Sequence, residues 1–390
     1  MDLDGLTFAM LKTDQSLRHH RPFSVANAHR LVVVATGVVF LTMTGAAYTS
    51  SVNAGQKTEG GGGFSPCYAE GSSSFSSSFD EGVSLVESQD GKRALFRART
   101  SPLKCEIDNS NARRPRLGRA HVYYEAGQPE DRLASVRGDP VGSENRVLDF
   151  ALNRPNVVSA RSGTRKGRIQ MNIYDNAGVR EIKFRVRMKL SRDFLLLSEY
   201  PGRIDWLTIS EWWNNAGWTG EEYPFRIAVD IVKTAGRSSP DLHFRVHAQA
   251  LDLQKMRWTN LIWEATNETF AIPVGEWVHL SYVFLEGARD EGRFSLEVTK
   301  EGHNPVMVID VRDFTHHPLD PAPDGLTHWN PVKLYTSGKL IDFVSSRGGC
   351  MRIMWDDIDI VVHGGISLAG QRINSLKRDR RQYQELASYP

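Results

Sequence analysis

The stretch KGRIQMNIYDNAGVREIKFRVRMKL, residues 166–190, contains two runs in which apolar and polar residues alternate. In the runs 168–174 and 183–190, every second residue is apolar, and the residues between them are Arg, Lys, Gln, Asn and Tyr. Side chains of a β-strand point to opposite faces in turn, so each run predicts a strand with one apolar and one polar face. The intervening Asp-Asn-Ala-Gly, 175–178, is typical of a turn.

The same two-residue period continues from about residue 80 to residue 365. Short runs are separated by Gly, Pro, Asn and Asp, and no long stretch has a convincing helical period. The further predicted strands are 204–213, 224–232, 243–249, 276–285, 293–301 and 350–362. This pattern predicts an all-β protein in which two antiparallel sheets pack as a sandwich.

Length and charge limit the classes of function that the protein can have. The chain has 390 residues, 40% of them apolar, which is enough for a large core. Its 48 basic and 46 acidic residues give a net charge of +2, so no overall field indicates a nucleic-acid partner. A Gly-rich phosphate loop and a Ser-His-Asp order are both absent from the sequence.

The N-terminus indicates export. Residues 31–47 form the one strongly apolar run, and it follows a basic segment. We therefore interpret residues 1–54 as a cleaved signal peptide or an uncleaved signal anchor. Both interpretations predict a secreted or extracytoplasmic domain, and the second makes residues 31–47 its membrane anchor.

The rest of the chain divides by composition. Residues 55–78 are rich in Gly and Ser and predict a flexible linker. The domain follows at 79–365, and residues 366–390 form a basic C-terminal tail. Of the three cysteines, Cys67 and Cys105 are nearest in sequence and are the slightly favoured pair for a disulfide, with Cys350 left over. Unpaired, buried thiols are an equal alternative.

Three segments resemble a known superfamily. They are GEWVHLSYVFLEGARDEGRFSLEVTKEG at 275–302, WDDIDI at 355–360 and FDEG at 79–82. They are similar to strands of concanavalin A-like jelly rolls, including laminin G-like and lectin modules. Together with the Arg-rich stretch 166–190, they most resemble the heparin-lyase-like polysaccharide lyases. The resemblance implies a jelly-roll fold and a polysaccharide partner, but this architecture carries lectins, hydrolases and lyases alike.

The polar faces of three predicted strands predict the ligand site. Alternation in 168–174, 183–190 and 243–249 places Arg, His and Gln on one face of each strand, with almost no carboxylate. If the three strands share one sheet, these faces merge into a cationic platform for an anionic polysaccharide; otherwise they are three unrelated solvated faces. The candidate residues are Arg168, Gln170, Arg185, Arg187, Arg245, His247 and Gln249.

A lyase must neutralise the uronate carboxylate, remove the C5 proton and protonate the leaving oxygen. We assign His247 as the candidate base, Tyr335 or a histidine of the loop at 313–337 as its partner, and Arg185 as the third catalytic residue. Calcium is an alternative neutralising group, but no ligand spacing in the sequence identifies a site for it. The competing interpretation of His247 is a hydrogen-bonded surface histidine.

The stretch SEWWNNAGWTGEEYPF, 210–225, mixes aromatic and amide side chains, as sugar-binding surfaces do. Alternation places Glu211 and Trp213 on one face and Trp212 on the other. We expect Glu211, Trp213 and Asn214 to contact ligand. A glycosidase would need a second carboxylate at a suitable separation, and the sequence offers no Glu-x-Asp-x-x-Glu run.

Residues 313–337 contain three prolines within a dense set of His, Asp and Tyr residues. This stretch predicts a stiff loop, either a structural cap or a ligand site with His316 and His328 as contacts. His316, His328, Asp320 and Asp324 are a candidate metal set, although their spacing matches no standard pattern.

The sequence thus supports two functions. The first is an extracellular lyase that cleaves an acidic, uronic-acid polysaccharide by β-elimination. The second is a non-catalytic, lectin-like module that uses the same face. A structural or adhesion domain of a cell envelope is a third interpretation.

Overall fold

The computed structural model describes residues 68–363 except 70–71, 81, 99–116, 141–144, 160–161, 215–221, 234–240 and 255–256. The predicted signal segment, most of the linker, the basic tail and the Cys67–Cys105 pair lie outside the described residues. The described part of the predicted flexible linker instead forms two strands of the first sheet, at Tyr68–Ala69 and Ser72–Ser77, so the linker prediction is wrong there. Cys350 is a free, half-buried thiol. None of the helices in the described residues has the length and apolar character needed to cross a membrane.

The described residues form two antiparallel sheets packed face to face, which confirms the predicted all-β jelly-roll sandwich. In the first sheet the order is β1-β2-β20-β10-β15-β16-β17, and β7 joins β20 to β6. Its strands are β1 (Tyr68–Ala69), β2 (Ser72–Ser77), β6 (Arg132–Gly138), β7 (Arg146–Leu152), β10 (Glu181–Leu190), β15 (Trp277–Leu285), β16 (Arg293–Lys300), β17 (Val306–Arg312) and β20 (Met351–His363).

The second sheet has the order β14-β13-β12-β11-β18-β9-β5-β4-β3, with β19 also lying between β11 and β9, and β8 paired with β9. A 3₁₀ helix (Arg192–Glu199) and the helix α1 (Gly338–Ser345) complete the described elements. The strands of this sheet are β3 (Val83–Glu87), β4 (Arg93–Ala98), β5 (Arg119–Tyr123), β8 (Val157–Val158), β9 (Arg165–Tyr174), β11 (Leu207–Asn214), β12 (Phe225–Val232), β13 (His243–Asp252), β14 (Arg257–Thr266), β18 (His328–Asn330) and β19 (Lys333–Ser337).

The two strands of the stretch 166–190 lie in different sheets. β9 belongs to the second sheet and β10 to the first, so the chain crosses between sheets after Tyr174. Asp175 and Gly178 both have positive φ, 62° and 63°, which reverses the chain direction at the crossing. The prediction that strands 168–174, 183–190 and 243–249 share one face is therefore wrong for the middle strand.

Aromatic side chains from both sheets fill the core. Trp212 on β11 is fully buried, and its ring centroid lies 4.6 Å from that of Trp329 and 5.8 Å from that of Phe284 on the opposite sheet. Because β11 alternates, this burial turns Glu211 and Trp213 to the outer face of the second sheet.

The stretch 313–337 is not one loop, contrary to prediction. Residues 313–327 form the loop, and β18 and β19 follow it as short strands between β11 and β9. These strands carry His328 and Tyr335 into the second sheet.

Candidate functional site

A cleft of about 670 Å³ lies on the outer face of the second sheet. It runs across the strands from Trp258 on β14 to Tyr123 on β5. The predicted site residues that line it are Arg168, Gln170, Glu211, Trp213, Arg245, His247, Gln249, His328 and Tyr335.

Strand register explains why these residues meet. Residues directly opposite each other on antiparallel neighbours point to the same face. One row across the sheet joins His247, Ala228, Glu211, Asn330 and Asn172. The next row joins Arg245, Asp230, Thr208, Tyr335 and Arg168.

Four predicted site residues lie elsewhere. Arg185 and Arg187 are on β10, on the outer face of the first sheet, where Arg187 Nη1 contacts Asp356 Oδ2 at 3.3 Å. His316 stays in the loop 313–327, and its Nδ1 lies 2.9 Å from the carbonyl oxygen of His317. Asn214 points away from the cleft, because it alternates with Trp213 on β11.

The predicted metal set also fails. His328 lines the cleft, whereas His316 does not. Within the described ranges, no three His, Cys, Asp or Glu side chains converge as metal ligands. A calcium requirement stays a prediction.

Glu211 anchors a buried charge cluster in the cleft floor. Its side chain is 2% exposed, and its two oxygens accept hydrogen bonds from Arg226, at 3.0 Å, and from Lys333. Burial alone would raise the pKa of Glu211, but Lys333 and Arg226 outweigh it and hold that pKa at about 2. Burial lowers the pKa of Lys333. Lys333 was not among the predicted site residues, although its spacing of two from Tyr335 places both on one face of a strand.

Two cationic side chains lie close to the aromatic ring of Tyr335. The guanidinium carbon of Arg168 lies 4.3 Å from its ring centroid, and Lys333 Nζ lies 4.8 Å from it. Trp206 packs edge-on against the same ring with centroids 4.8 Å apart. Arg168 also pairs with Glu125, Nη1 to Oε2, at 3.0 Å. Tyr335 is half-buried and lines the cleft, so its phenol can reach a bound molecule.

His247 lies in a separate group. Its Nδ1 faces Asp230 Oδ2 at 3.4 Å, and the same oxygen accepts a hydrogen bond from Arg245 at 2.7 Å. Burial lowers the pKa of His247, against the opposing effect of Asp230, and favours the neutral ring. Three strand spacings, about 14 Å, separate β13 from the position of β19. The backbone positions of His247 and Tyr335 therefore place the two side chains in different parts of the cleft.

Buried amide side chains form a hydrogen-bond network in the middle of the cleft. Asn172 Oδ1 accepts hydrogen bonds from Gln170 and Asn330, both at 2.7 Å. Asn330 Oδ1 accepts one from Trp213 Nε1 at 3.2 Å. Burial lowers the pKa of His328 to about 3, so this histidine is neutral at ordinary pH. The network presents polar, uncharged groups of the kind that bind sugar hydroxyls.

The cleft is less cationic than the sequence suggested, because carboxylates stand between its basic residues. Asp230 and Glu211 come from β12 and β11, and each pairs with an arginine of the cleft. The two-residue period of β12 predicts that Arg226, Ala228 and Asp230 share one face of the strand. In the structure all three line the cleft.

Aromatic rings flank this polar centre. Trp213 and Trp258 pack edge-on with centroids 5.1 Å apart, and the Arg226 guanidinium carbon lies 4.7 Å from the Trp258 ring. Trp206 and Tyr335 form the second aromatic group. Rings of this kind supply flat apolar surfaces on which sugar rings can stack.

The carboxyls do not suit a glycosidase. A general acid needs a raised pKa, and the pKa of Glu211 is lowered. Among the described residues, the carboxyls whose pKa burial raises are Glu286, Asp356, Asp149 and Asp324, and none lines the cleft.

Glu286 holds the loop 313–327 against β11 behind the cleft. Its carboxylate accepts hydrogen bonds from Asn214 at 2.6 Å and from the Gly325 amide at 3.0 Å, and it pairs with Arg180 at 2.7 Å. Burial raises the pKa of Glu286 to about 7, in spite of these partners.

This shift predicts a pH dependence of stability. As the pH rises from about 4.5 to about 7, an unfolded Glu286 loses its proton before the folded one does, so the wild type loses stability. A Glu286→Gln variant lacks this titration. Between pH 4.5 and about pH 7, we expect the free energy of unfolding of Glu286→Gln to rise by about 3 kcal/mol relative to that of the wild type.

Urea unfolding at several pH values measures the difference. Glu301→Gln, at an exposed carboxyl, serves as the control and should give a parallel curve. A Glu286→Gln curve parallel to the wild type would contradict the prediction.

Comparison with known proteins gives structural neighbours only. No family model and no curated protein matches the sequence. An endo-β-1,4-glucuronan lyase from the fungus Trichoderma reesei is 13% identical, with a TM-score of 0.38 over 61% of this chain and 89% of that chain. A PL-14 alginate lyase from Aplysia kurodai is 9% identical, with a TM-score of 0.37 over 61% and 89%. The exoplasmic/lumenal domain of VIP36, in its Ca²⁺/Man2-bound form, is 12% identical, with a TM-score of 0.31 over 64% and 85%.

Proposed function

We propose that the protein is an extracellular polysaccharide lyase that cleaves an acidic, uronic-acid polymer at the Tyr335 end of the cleft. One observation carries the proposal: the phenol of Tyr335 lies between Arg168 and Lys333 on the wall of an open, polar cleft. The apolar run at 31–47 supports export of the domain.

The reaction needs few groups. A base removes the proton at C5 of the uronate, the C4–O bond breaks, a C4–C5 double bond forms, and the departing oxygen takes a proton. Negative charge gathers on the carboxylate as the C5 proton leaves, and a guanidinium placed beside it stabilises that charge. We assign this part to Arg168.

In the proposed reaction Tyr335 carries the proton: its phenolate oxygen takes the proton from C5, and the phenol so formed gives it to the departing C4 oxygen, which restores the phenolate. Its neighbour Arg168 places the bound carboxylate next to the phenol, so the C5 proton of the same sugar comes within its reach. His247, expected from the sequence to be the base, becomes a binding residue, because it stands about 14 Å away by strand spacing.

The rest of the cleft binds the polymer on either side of the scissile bond. Trp258 is partly exposed and offers a stacking surface, and beside it Arg226 donates a hydrogen bond to Gln249 Oε1 at 2.8 Å. Binding energy from these remote contacts positions the reacting sugar.

A lectin-like module is the second candidate. The observation in its favour is that Arg226, Arg245, Arg168 and Lys333 already have carboxylate partners within the protein. A cleft balanced in this way also suits neutral sugars, which need aromatic and amide contacts without proton transfer.

Incubation of the purified protein with alginate, heparin and glucuronan separates the two. We expect ultraviolet absorbance from unsaturated sugar ends to grow with at least one polymer. Clear glycan binding without any growth of absorbance over hours would overturn the lyase proposal and favour the lectin.

A further inference from the structure

The outer face of the second sheet continues beyond the cleft onto β4. Tyr123 of β5 lines the cleft, and Arg93 of β4 lies directly opposite it in the ladder. Along β4, Ala94 and Phe96 are buried in the core, whereas Arg93, Leu95 and Arg97 are exposed. Alternation therefore places these three side chains on the cleft side of the sheet.

Arg119 joins them from β5. It lies opposite Tyr174 of β9, two residues before the His121 position that faces Asn172 of the cleft. Since Arg119, His121 and Tyr123 are at alternate positions, Arg119 is on the same outer face, and it is exposed. We call Arg93, Arg97 and Arg119 the arginine extension.

The extension differs in charge from the cleft. Cleft arginines such as Arg226 and Arg245 pair with buried carboxylates. Among the described residues, the guanidinium groups of the extension form no ion pair within 4 Å and no hydrogen bond. The charge of Arg93 contributes, after the hydrogen bonds from Ser88 and Lys92, to the lowered pKa of the exposed Asp90. Arg93 also contributes, after burial, to the lowered pKa of His121, so its charge acts on the neighbouring strand β5.

We propose that the arginine extension binds the polyanionic chain of an acidic polysaccharide where that chain leaves the cleft over β5. Two features of this face indicate an acidic polysaccharide. The cleft crosses the sheet strand by strand, so a polymer lying in it passes from Tyr123 to Arg93 without a change of direction. Three unpaired, exposed guanidinium groups are complementary to repeated carboxylate or sulfate groups.

The inference rests on the proposed function for the acidic character of the polymer, but it concerns binding rather than cleavage. It makes affinity depend on chain length, because a short oligosaccharide fills the cleft and does not reach the extension.

The test compares fluorescein-labelled alginate with a labelled alginate tetrasaccharide, by anisotropy, on the full chain carrying Tyr335→Phe to prevent turnover. The test variant adds Arg93→Ser, Arg97→Ser and Arg119→Ser. A matched variant adds Lys183→Ser, Arg185→Ser and Arg312→Ser, which removes three exposed positive charges from the first sheet.

We expect the test variant to bind the polymer about tenfold more weakly at low salt, from three exposed contacts of about 0.5 kcal/mol each. The affinity of the test variant for the tetrasaccharide should change less than about twofold. In the matched variant, the affinities for the polymer and for the tetrasaccharide should each change less than about twofold. At about 1 M salt, charges are screened within about 3 Å, so the test and matched variants should bind the polymer equally well.

Equal losses for polymer and tetrasaccharide, equal losses in the matched variant, or no loss at all would each overturn the inference. Tighter extension-dependent binding of single-stranded DNA than of alginate would overturn it too. If no unsaturated ends form but polymer binding depends on the extension, the lyase proposal fails and this inference stands.

Discussion

Replacing Tyr335 by Phe is expected to lower turnover of the uronic-acid polymer by at least about a hundredfold, the usual contribution of a positioned proton-transfer group. In the proposed reaction the oxygen of Tyr335 takes the proton from C5 and passes it to the departing oxygen, and Phe lacks this atom. The ring itself keeps its packing against Trp206 and Arg168, so polymer affinity should change less than about threefold. Initial rates of unsaturated-end formation and equilibrium binding measure the two quantities.

Two controls make this result specific. Tyr200→Phe removes a phenol outside the cleft, whose ring packs on Phe343, and it should leave turnover unchanged. His247→Ala should weaken binding while turnover at saturating polymer persists. Undiminished turnover in Tyr335→Phe, or turnover abolished by His247→Ala alone, would contradict the assignment of Tyr335.

Replacing Glu211 by Ala is expected to lower the free energy of unfolding by about 3–5 kcal/mol. Lys333 is 1% exposed, and without Glu211 its ammonium is left buried beside Arg226 and Arg168. Removal of one member of a buried ion pair costs more than the pair itself contributes, because the remaining charge has lost both water and its partner. Urea unfolding of wild type and variant gives the difference.

The matched comparison is an exposed ion pair. Arg165 and Asp342 are about half exposed and 2.8 Å apart, so Asp342→Ala should lower stability by less than about 1 kcal/mol. The double variant Glu211→Met, Lys333→Met should recover most of the loss, since two apolar side chains replace the pair. A Glu211→Ala effect no larger than that of Asp342→Ala would show that Lys333 reaches water or another partner.

The sequence predicted the local geometry well, because a two-residue period depends only on neighbouring residues. It placed Glu211 and Trp213 opposite Trp212, and Arg168 and Gln170 on one face of β9, as the structure has them. It placed Asn214 wrongly, because mixed polar and aromatic composition was given more weight than the alternation that already separated Asn214 from Trp213.

The sequence could not tell which sheet each strand joins. β9 and β10 have nearly the same pattern, yet their polar faces point to opposite sides of the molecule. Sheet membership depends on pairing between residues far apart in the chain, such as Arg168 with Tyr335 and Arg187 with Asp356. Arg168 therefore lines the cleft, whereas Arg185 and Arg187 lie on the outer face of the other sheet.

The placement of β18 and β19 end to end, between β11 and β9, has an evolutionary consequence. His328, Asn330, Lys333 and Tyr335 all reach the cleft from residues 328–335, while the flanking strands supply the scaffold. The residues between them, Trp329, Val332 and Leu334, are buried in the core. Within these eight residues, substitutions at the alternate positions that face outward can therefore change the lining of the cleft, while the inward positions keep the core that joins the two sheets.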